Sequence, residues 1–232
     1  MNYTVIVHEP TLVQFINWLP DNEAHEQYYM SLFARKKYYP HLKWIKSDKS
    51  QLARKTSTKQ KLLSKIRQLE CPIGAYVQHQ DNAAIPPEAL ALYINPNPRD
   101  LYKATLHGLS DFAKLIETQA KNYNPHQEIL STIQRTSSRK VWIDFDIDCL
   151  DDSVLPKIHS ILGDNKACRR ILRTRGGYHV LVKPDMVPDS VARTWYKNLA
   201  SMADVKGDNM IPVPGCIQGY IDGEPFYPRF VD

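Results

Sequence analysis

The chain has 232 residues, 43% of them hydrophobic and 24% charged, which supplies a sizeable core and excludes a disordered or fibrous chain. No apolar run reaches the length of a membrane span, and the opening MNYTVIVHEP lacks a basic stretch followed by an apolar one, so the expectation is a cytoplasmic protein with no membrane partner. The net charge of +5 is unevenly placed: Arg35 to Arg67 holds 12 Lys or Arg against one acid, Asp48, so that segment carries +11 and the other 199 residues carry −6.

In chain order, a strand is expected at Tyr3 to His8, then a helix from Thr11 to Trp18 stopped by Pro20. Gln27 to Ala34 is compatible with either strand or helix. From Gln51 to Leu69 the spacing of Leu62, Leu63, Ile66 and Leu69 predicts a helix that turns Arg54, Lys61 and Lys65 outward. Gly74 to His79 and Ala91 to Ile94 read as short strands. Helices at Leu101 to Asn122 and His126 to Thr136 follow, the first led in by the turn NPNPRD. No repeat or low-complexity linker interrupts the chain, and Cys71, Cys149, Cys168 and Cys216 lie too far apart for a CxxC pair, which argues against a zinc ribbon and against a disulfide scaffold.

The chemistry concentrates in three blocks after Lys140. Val141-Trp142-Ile143 predicts a buried strand that runs into Asp144-Phe145-Asp146-Ile147-Asp148. Strand side chains alternate, so the three aspartates share one face, and such carboxylates repel unless a cation lies between them. Capping of a helix near Ser153 accounts for Asp148, Asp151 and Asp152 but not for Asp144, since an acid directly after Val-Trp-Ile is expensive to bury without a partner. The second block predicts a hairpin, Ile171 to Thr174 and Tyr178 to Lys183, about Gly176-Gly177. His179 falls just inside its second strand, where a satisfied core histidine is the plain alternative to a ligand. Arg173, Arg175 and the glycine pair are residue types that bind phosphate oxygens. After a helix from Pro188 to Met202, the third block, ADVKGDNMIPVPG, adds Asp204 and Asp208, with a strand expected at Met210 to Val213.

Taken in order, Ile143-Asp144-Phe145-Asp146, Gly177-Tyr178-His179 and Ala203-Asp204 or Gly207-Asp208 resemble the three motifs of the archaeo-eukaryotic primase superfamily, and ADVKGDNMIPVPG is similar to the third-motif region of its plasmid and phage primase-polymerases. The resemblance covers about Lys140 to Tyr220. It implies an α/β (α+β) chain in which an RRM-like antiparallel catalytic sheet (138–232) packs with an N-terminal α/β lobe (1–137) that bears the basic segment 35–67. It also implies an enzyme, a template-dependent nucleotidyltransferase of DNA replication or repair. Asp144, Asp146 and Asp204, with Asp208 as the second choice, would hold two magnesium or manganese ions. His179 with Arg173, Arg175, Gly176 and Gly177 would grip the nucleotide's triphosphate. Arg35, Lys36, Lys37, Arg54, Lys61 and Lys65 would track a DNA template and primer backbone, with Tyr38, Tyr39 and Trp44 placed to stack on bases. No GxxxxGK[ST] motif is present, so a helicase or other replication protein would act in trans. A catalytically silent nucleic-acid-binding module and a metal-dependent nuclease are the alternatives. The run Asp144 to Asp151 also looks like the manganese motif of ureohydrolases, but the order of blocks is reversed and DAHxD is missing.

Overall fold

Strict alternation of apolar and acidic residues in Ile143-Asp144-Phe145-Asp146-Ile147-Asp148 makes a strand with one oily face and one charged face, and the rest of the chain is arranged around that asymmetry. The computed structural model describes residues 1–42, 48–77, 83–119, 121 and 123–232. Lys43, Trp44 and Lys46 of the basic segment lie outside the described residues, as do His79 and Asn122 at the ends of two expected elements.

The elements are α1 (Glu9–Trp18), β1 (Glu26–Arg35), β2 (Lys49–Ser57), α2 (Leu62–Arg67), β3 (Leu90–Ile94), β4 (Arg99–Asp100), α3 (Leu101–Glu117), α4 (Pro125–Arg135), β5 (Ile143–Ile147), α5 (Val154–Leu162), β6 (Arg169–Arg173), β7 (Tyr178–Val182), α6 (Trp195–Ala200), β8 (Val205–Gly207), β9 (Ile211–Pro212), β10 (Tyr220–Ile221), β11 (Glu224–Pro225) and β12 (Arg229–Phe230). They form an α+β protein with two main antiparallel sheets. The first runs β2-β1-β3-β9, with β4 beside the start of β1. The second runs β12-β6-β7-β5-β8. From β5 onward the order is β-α-β-β-α-β, the split-βαβ arrangement in which the first and third strands are central.

Each sheet sorts its residues by parity. Phe145, Ile147, Ile171, Val180 and Val182 pack under α5 and α6 with Ile158, Trp195 and Leu199. On the first sheet, Tyr28, Met30, Leu32, Leu90, Leu92 and Ile94 face the core built on α1 and α2. The opposite faces of the two sheets meet. Leu172, Leu181 and Trp142 of the second join the first lobe's core, with Trp142 4.7 Å from Trp18 between ring centroids. Beyond that apolar seam the faces part, and the polar residues at the opening line a cleft.

Several sequence expectations are corrected. Tyr3 to His8 is not a strand; it is held by isolated bridges such as Ile6 to Cys216. Gln27 to Ala34 is the buried central strand β1, whose pairing on both edges overrides an indecisive pattern. The helix expected from Gln51 to Leu69 is strand β2 followed by the short α2, because Lys49–Ser57 pairs along β1. Arg54 therefore shares no helical face with Lys61 and Lys65. The helix before the third block is shorter than expected, Trp195–Ala200. Met210 to Val213 contributes β9 to the first sheet, not the second. The chain thus crosses between sheets at Asp208-Asn209-Met210, and residues of the C-terminal half return to the first lobe, where Ile217 N–H donates to Val5 O and Gly219 N–H to Leu90 O. Among the described residues no helix is long and apolar enough to cross a membrane.

Candidate active site

The site begins with register. Asp146 stands directly opposite His179 on β7, and Asp144 opposite Leu181 on the same strand and Gly207 on β8. Asp144, Asp146 and His179 thus project from neighbouring strands to one face, as the alternation of β5 requires. Asp144 Oδ1 lies 2.9 Å from His179 Nδ1, and Asp146 Oδ1 lies 3.4 Å from His179 Nε2. Asn209 Nδ2 approaches Asp144 Oδ2 at 3.4 Å. Asp144 is buried at the apolar seam, whereas the Asp146 side chain is 30% exposed, so Asp146 is the carboxylate a ligand meets first.

Electrostatics ties the three groups together. Burial alone would push the His179 pKa down, but the facing Asp144, Asp146 and Asp148 outweigh it and hold the imidazole above its usual value. Burial, with Asp144 and Asp148 nearby, raises the Asp146 carboxyl, and His179 and Lys37 only partly oppose this. The histidine is therefore tied to two acids at once, one through each ring nitrogen.

These residues form the floor of a cleft of about 930 Å³ between the two sheets. Its other wall is the parity of β1 and β3 turned away from the α1–α2 core, Phe33, Arg35 and Tyr93, with Asn95 just after β3. Arg35 is buried; its Nε donates to Asp48 Oδ2 at 2.8 Å, and its guanidinium also reaches the Tyr93 hydroxyl. Lys37 follows at the rim, exposed, with its ammonium 5.7 Å from the Tyr38 ring centroid. Arg175, in the β6–β7 turn next to the cleft-lining Thr174 and Gly176, stacks on the same ring at 4.4 Å. Tyr38 thus joins the basic segment to the glycine turn across the cleft mouth, and Gln218 secures both, accepting from Arg175 N–H at 2.8 Å and donating to the Tyr38 hydroxyl at 3.1 Å.

The remaining expected residues separate into those the fold brings here and those it does not. Gly176 lines the cleft beside Asp148. Gly177 is required by packing, since a Cβ there would stand 2.1 Å from Ile147 O and 2.7 Å from Cys149 N. Arg173 has the wrong parity: it pairs with Tyr178 and lies on the α5 side of the sheet, 3.3 Å from Asp152 Oδ1. It does not join His179. Asp204 does not line the cleft either. Val205, not Asp204, is the residue opposite Asp146, and the Asp204 carboxylate accepts the Asp148 N–H at 2.9 Å. Asp208 does line the cleft, reversing the expected preference, but its carboxylate is held in a fork by Arg99, with Nη1 to Oδ2 at 2.8 Å and Nη2 to Oδ1 at 2.6 Å, and accepts from Asn97 Nδ2 at 2.9 Å.

Of the expected backbone-tracking residues, Lys37 reaches the cleft freely and Arg35 reaches it already paired. Lys36 sits in the turn after β1, its N–H donating to Asp48 O. Arg54 ties β2 to α4 through Ser131 Oγ (2.8 Å) and Gln127 O (3.1 Å). Lys61 and Lys65 lie on the far side of β2, about α2, away from the cleft. Sequence reasoning missed Asn209, Asn95 and the Arg99–Asp208 fork. The only signal for the fork was NPNPRD itself, a run of turn residues that ends in an arginine and an acid.

Among the described residues no three His, Cys, Asp or Glu side chains converge as a preformed metal cage. No family model, curated protein or solved structure matches the chain.

Proposed function

We propose that the chain is a template-dependent nucleotidyltransferase, a primase-polymerase that joins nucleotides to a 3′-hydroxyl within this cleft. The observation that carries the reading is the placement of Asp144, Asp146 and His179 on adjacent strands of a split-βαβ sheet, at the floor of a cleft whose volume falls within the range of about 300–1,000 Å³ typical of small-ligand sites. The resemblance of the surrounding blocks to the archaeo-eukaryotic primase superfamily supports it.

Magnesium is ordinarily held by one or two carboxylates together with substrate phosphates and waters, not by an all-protein cage. Asp146, raised by burial and by two neighbouring carboxylates, is a donor whose charge a divalent cation would relieve, and Asp144 is its partner. When bound, magnesium or manganese would lower the pKa of the attacking hydroxyl and stabilise charge on the transferred phosphoryl group. The chain's own groups do the rest. Asp144 holds the His179 ring through Nδ1, and Nε2, which lies 3.4 Å from Asp146 Oδ1 on the cleft floor, would meet a phosphate oxygen that comes to that carboxylate. Lys37 and Arg175 supply positive charge at the mouth for the remaining phosphate oxygens, and the Phe33–Tyr93 wall offers aromatic surface for a base.

A catalytically silent nucleic-acid-binding module is the second reading. The position of His179 favours it, since the imidazole already contacts both carboxylates that a metal ion would need. Primer extension separates the two. The enzyme reading expects incorporation with magnesium or manganese, tested with ribo- and deoxyribonucleotides and with and without primer, and its loss in Asp144→Ala and Asp146→Ala. Binding without incorporation under any of these conditions supports the silent module.

A further inference from the structure

Helix α3 carries apolar side chains on two faces, and the fold uses only one of them. Ala104 and Gly108 are buried against α4, so closely that a Cβ at Gly108 would stand 2.7 Å from Ile129 Cδ1. Tyr102, Leu106, Leu109 and Ile116 are 69%, 52%, 61% and 70% exposed. With Ala113 they recur at intervals of four, three, four and three residues, which is the spacing of a coiled-coil seam. Among the described residues nothing packs on this stripe. Scattered exposed leucines are ordinary on a protein surface, but a run in heptad register along one helix is the pattern by which a helix meets another helix.

The flanking charges identify which helix. On the solvent side of the stripe the row is Lys103, Ser110 and Glu117, one heptad apart each, with opposite charges at equal distances from Ser110. Laid parallel, this row of one copy would face the row on the other flank of the stripe, Thr105 and Phe112, and form no ion pair. Laid antiparallel about a two-fold axis near Ser110, each Lys103 meets the Glu117 of the other copy. The Lys103 ammonium reaches Asp100 Oδ2 at 3.5 Å, yet its side chain stays 54% exposed and open to a second carboxylate. From this self-complementarity we propose that the chain forms a homodimer through antiparallel pairing of α3, with Tyr102, Leu106, Leu109, Ala113 and Ile116 as the seam. An isologous contact of this kind closes on itself and uses one patch twice. None of the seam residues lines the cleft.

The test is the mass of the full chain in solution by sedimentation equilibrium. The expected result is a reversible dimer, reduced to a monomer by Leu106→Glu with Leu109→Glu, whose melting temperature matches that of the parent diluted to its monomeric range, because both side chains are exposed in the single chain. Lys103→Glu should weaken the dimer about tenfold, since two exposed ion pairs become like-charge pairs, and Glu117→Lys added to it should restore the affinity. Under oxidation Ser110→Cys should give a covalent dimer that the parent chain, with its native cysteines, does not give. A parent chain that is monomeric at roughly 100 μM, well above the micromolar constants of weak homodimers, overturns the proposal and assigns the stripe to a different protein. So does a dimer indifferent to the double glutamate variant, and failure of the charge exchange to restore affinity overturns the antiparallel arrangement.

Discussion

Asp208 is the residue on which the structure and the motif reading part most sharply, and a single substitution decides between them. If Asp208 serves as a metal ligand, Asp208→Ala removes activity and leaves stability alone. In the structure its carboxylate is instead the counter-ion of Arg99, a guanidinium 1% exposed, whose other acceptors among the described residues are the carbonyls of Asn97 (3.1 Å) and Gln134 (3.0 Å). Taking the carboxylate away strands a buried charge, a change that costs about 3–5 kcal/mol. For a chain of this length each kcal/mol lowers the melting temperature by about 2–4 °C, so Asp208→Ala should melt about 6–20 °C below the parent. Arg99→Leu should cost less, because the Asp208 side chain left behind is 15% exposed toward the cleft and keeps its bond from Asn97. The double variant Arg99→Leu with Asp208→Leu should be more stable than Asp208→Ala alone, since no unpaired charge remains. Differential scanning calorimetry measures all three. An Asp208→Ala chain that melts within about 2 °C of the parent would refute the fork as a structural element.

Further outcomes follow from the same geometry. Gly177→Ala should cost about 1–3 kcal/mol, because its Cβ meets backbone atoms of β5 that cannot yield, whereas Gly108→Ala meets only the tip of Ile129 and gains helix propensity of about 1 kcal/mol; comparing their urea midpoints checks the contrast. Lys37→Ala should weaken binding of single-stranded DNA of any sequence and reduce the log–log salt slope by about 0.7, while Arg54→Ala, whose guanidinium is occupied by α4, should leave the slope unchanged; titrations at several salt concentrations show whether it does. His159 accepts from Arg169 Nη2 at 2.7 Å, and burial together with that arginine lowers its pKa below the usual 6.5. Its contribution to stability is therefore fully present above pH 6.5 and is lost as pH falls from there through the folded-state value. His159→Gln should flatten the dependence of melting temperature on pH in that window, and equal slopes in parent and variant would remove the interaction from the account.

The local chemistry of β5 was written in the sequence because period two is a property of the backbone: any strand reading Ile-Asp-Phe-Asp-Ile-Asp must present its acids together. The hairpin that delivers His179 was legible for the same reason, with glycines marking its turn. The basic segment was legible as charge but not as shape. Lysines and arginines in Lys49–Ser57 fit helix and strand equally well, and pairing along the fully buried β1, a contact between distant positions, decided for strand. Which arginines are free was also a tertiary matter, because Arg54 and Arg99 each found a partner far along the chain, the residues of α4 and Asp208, and Arg35 met Asp48 only once β1 and β2 paired. The third acid could not be chosen from sequence, since Asp204 and Asp208 differ by one strand length and only the register of β8 on β5, with the crossing of the chain to β9, turns one toward the cleft and the other toward a backbone amide. Local periodicity fixes the direction of a side chain; what that side chain meets depends on loop closure and packing between elements, most of them far apart in sequence.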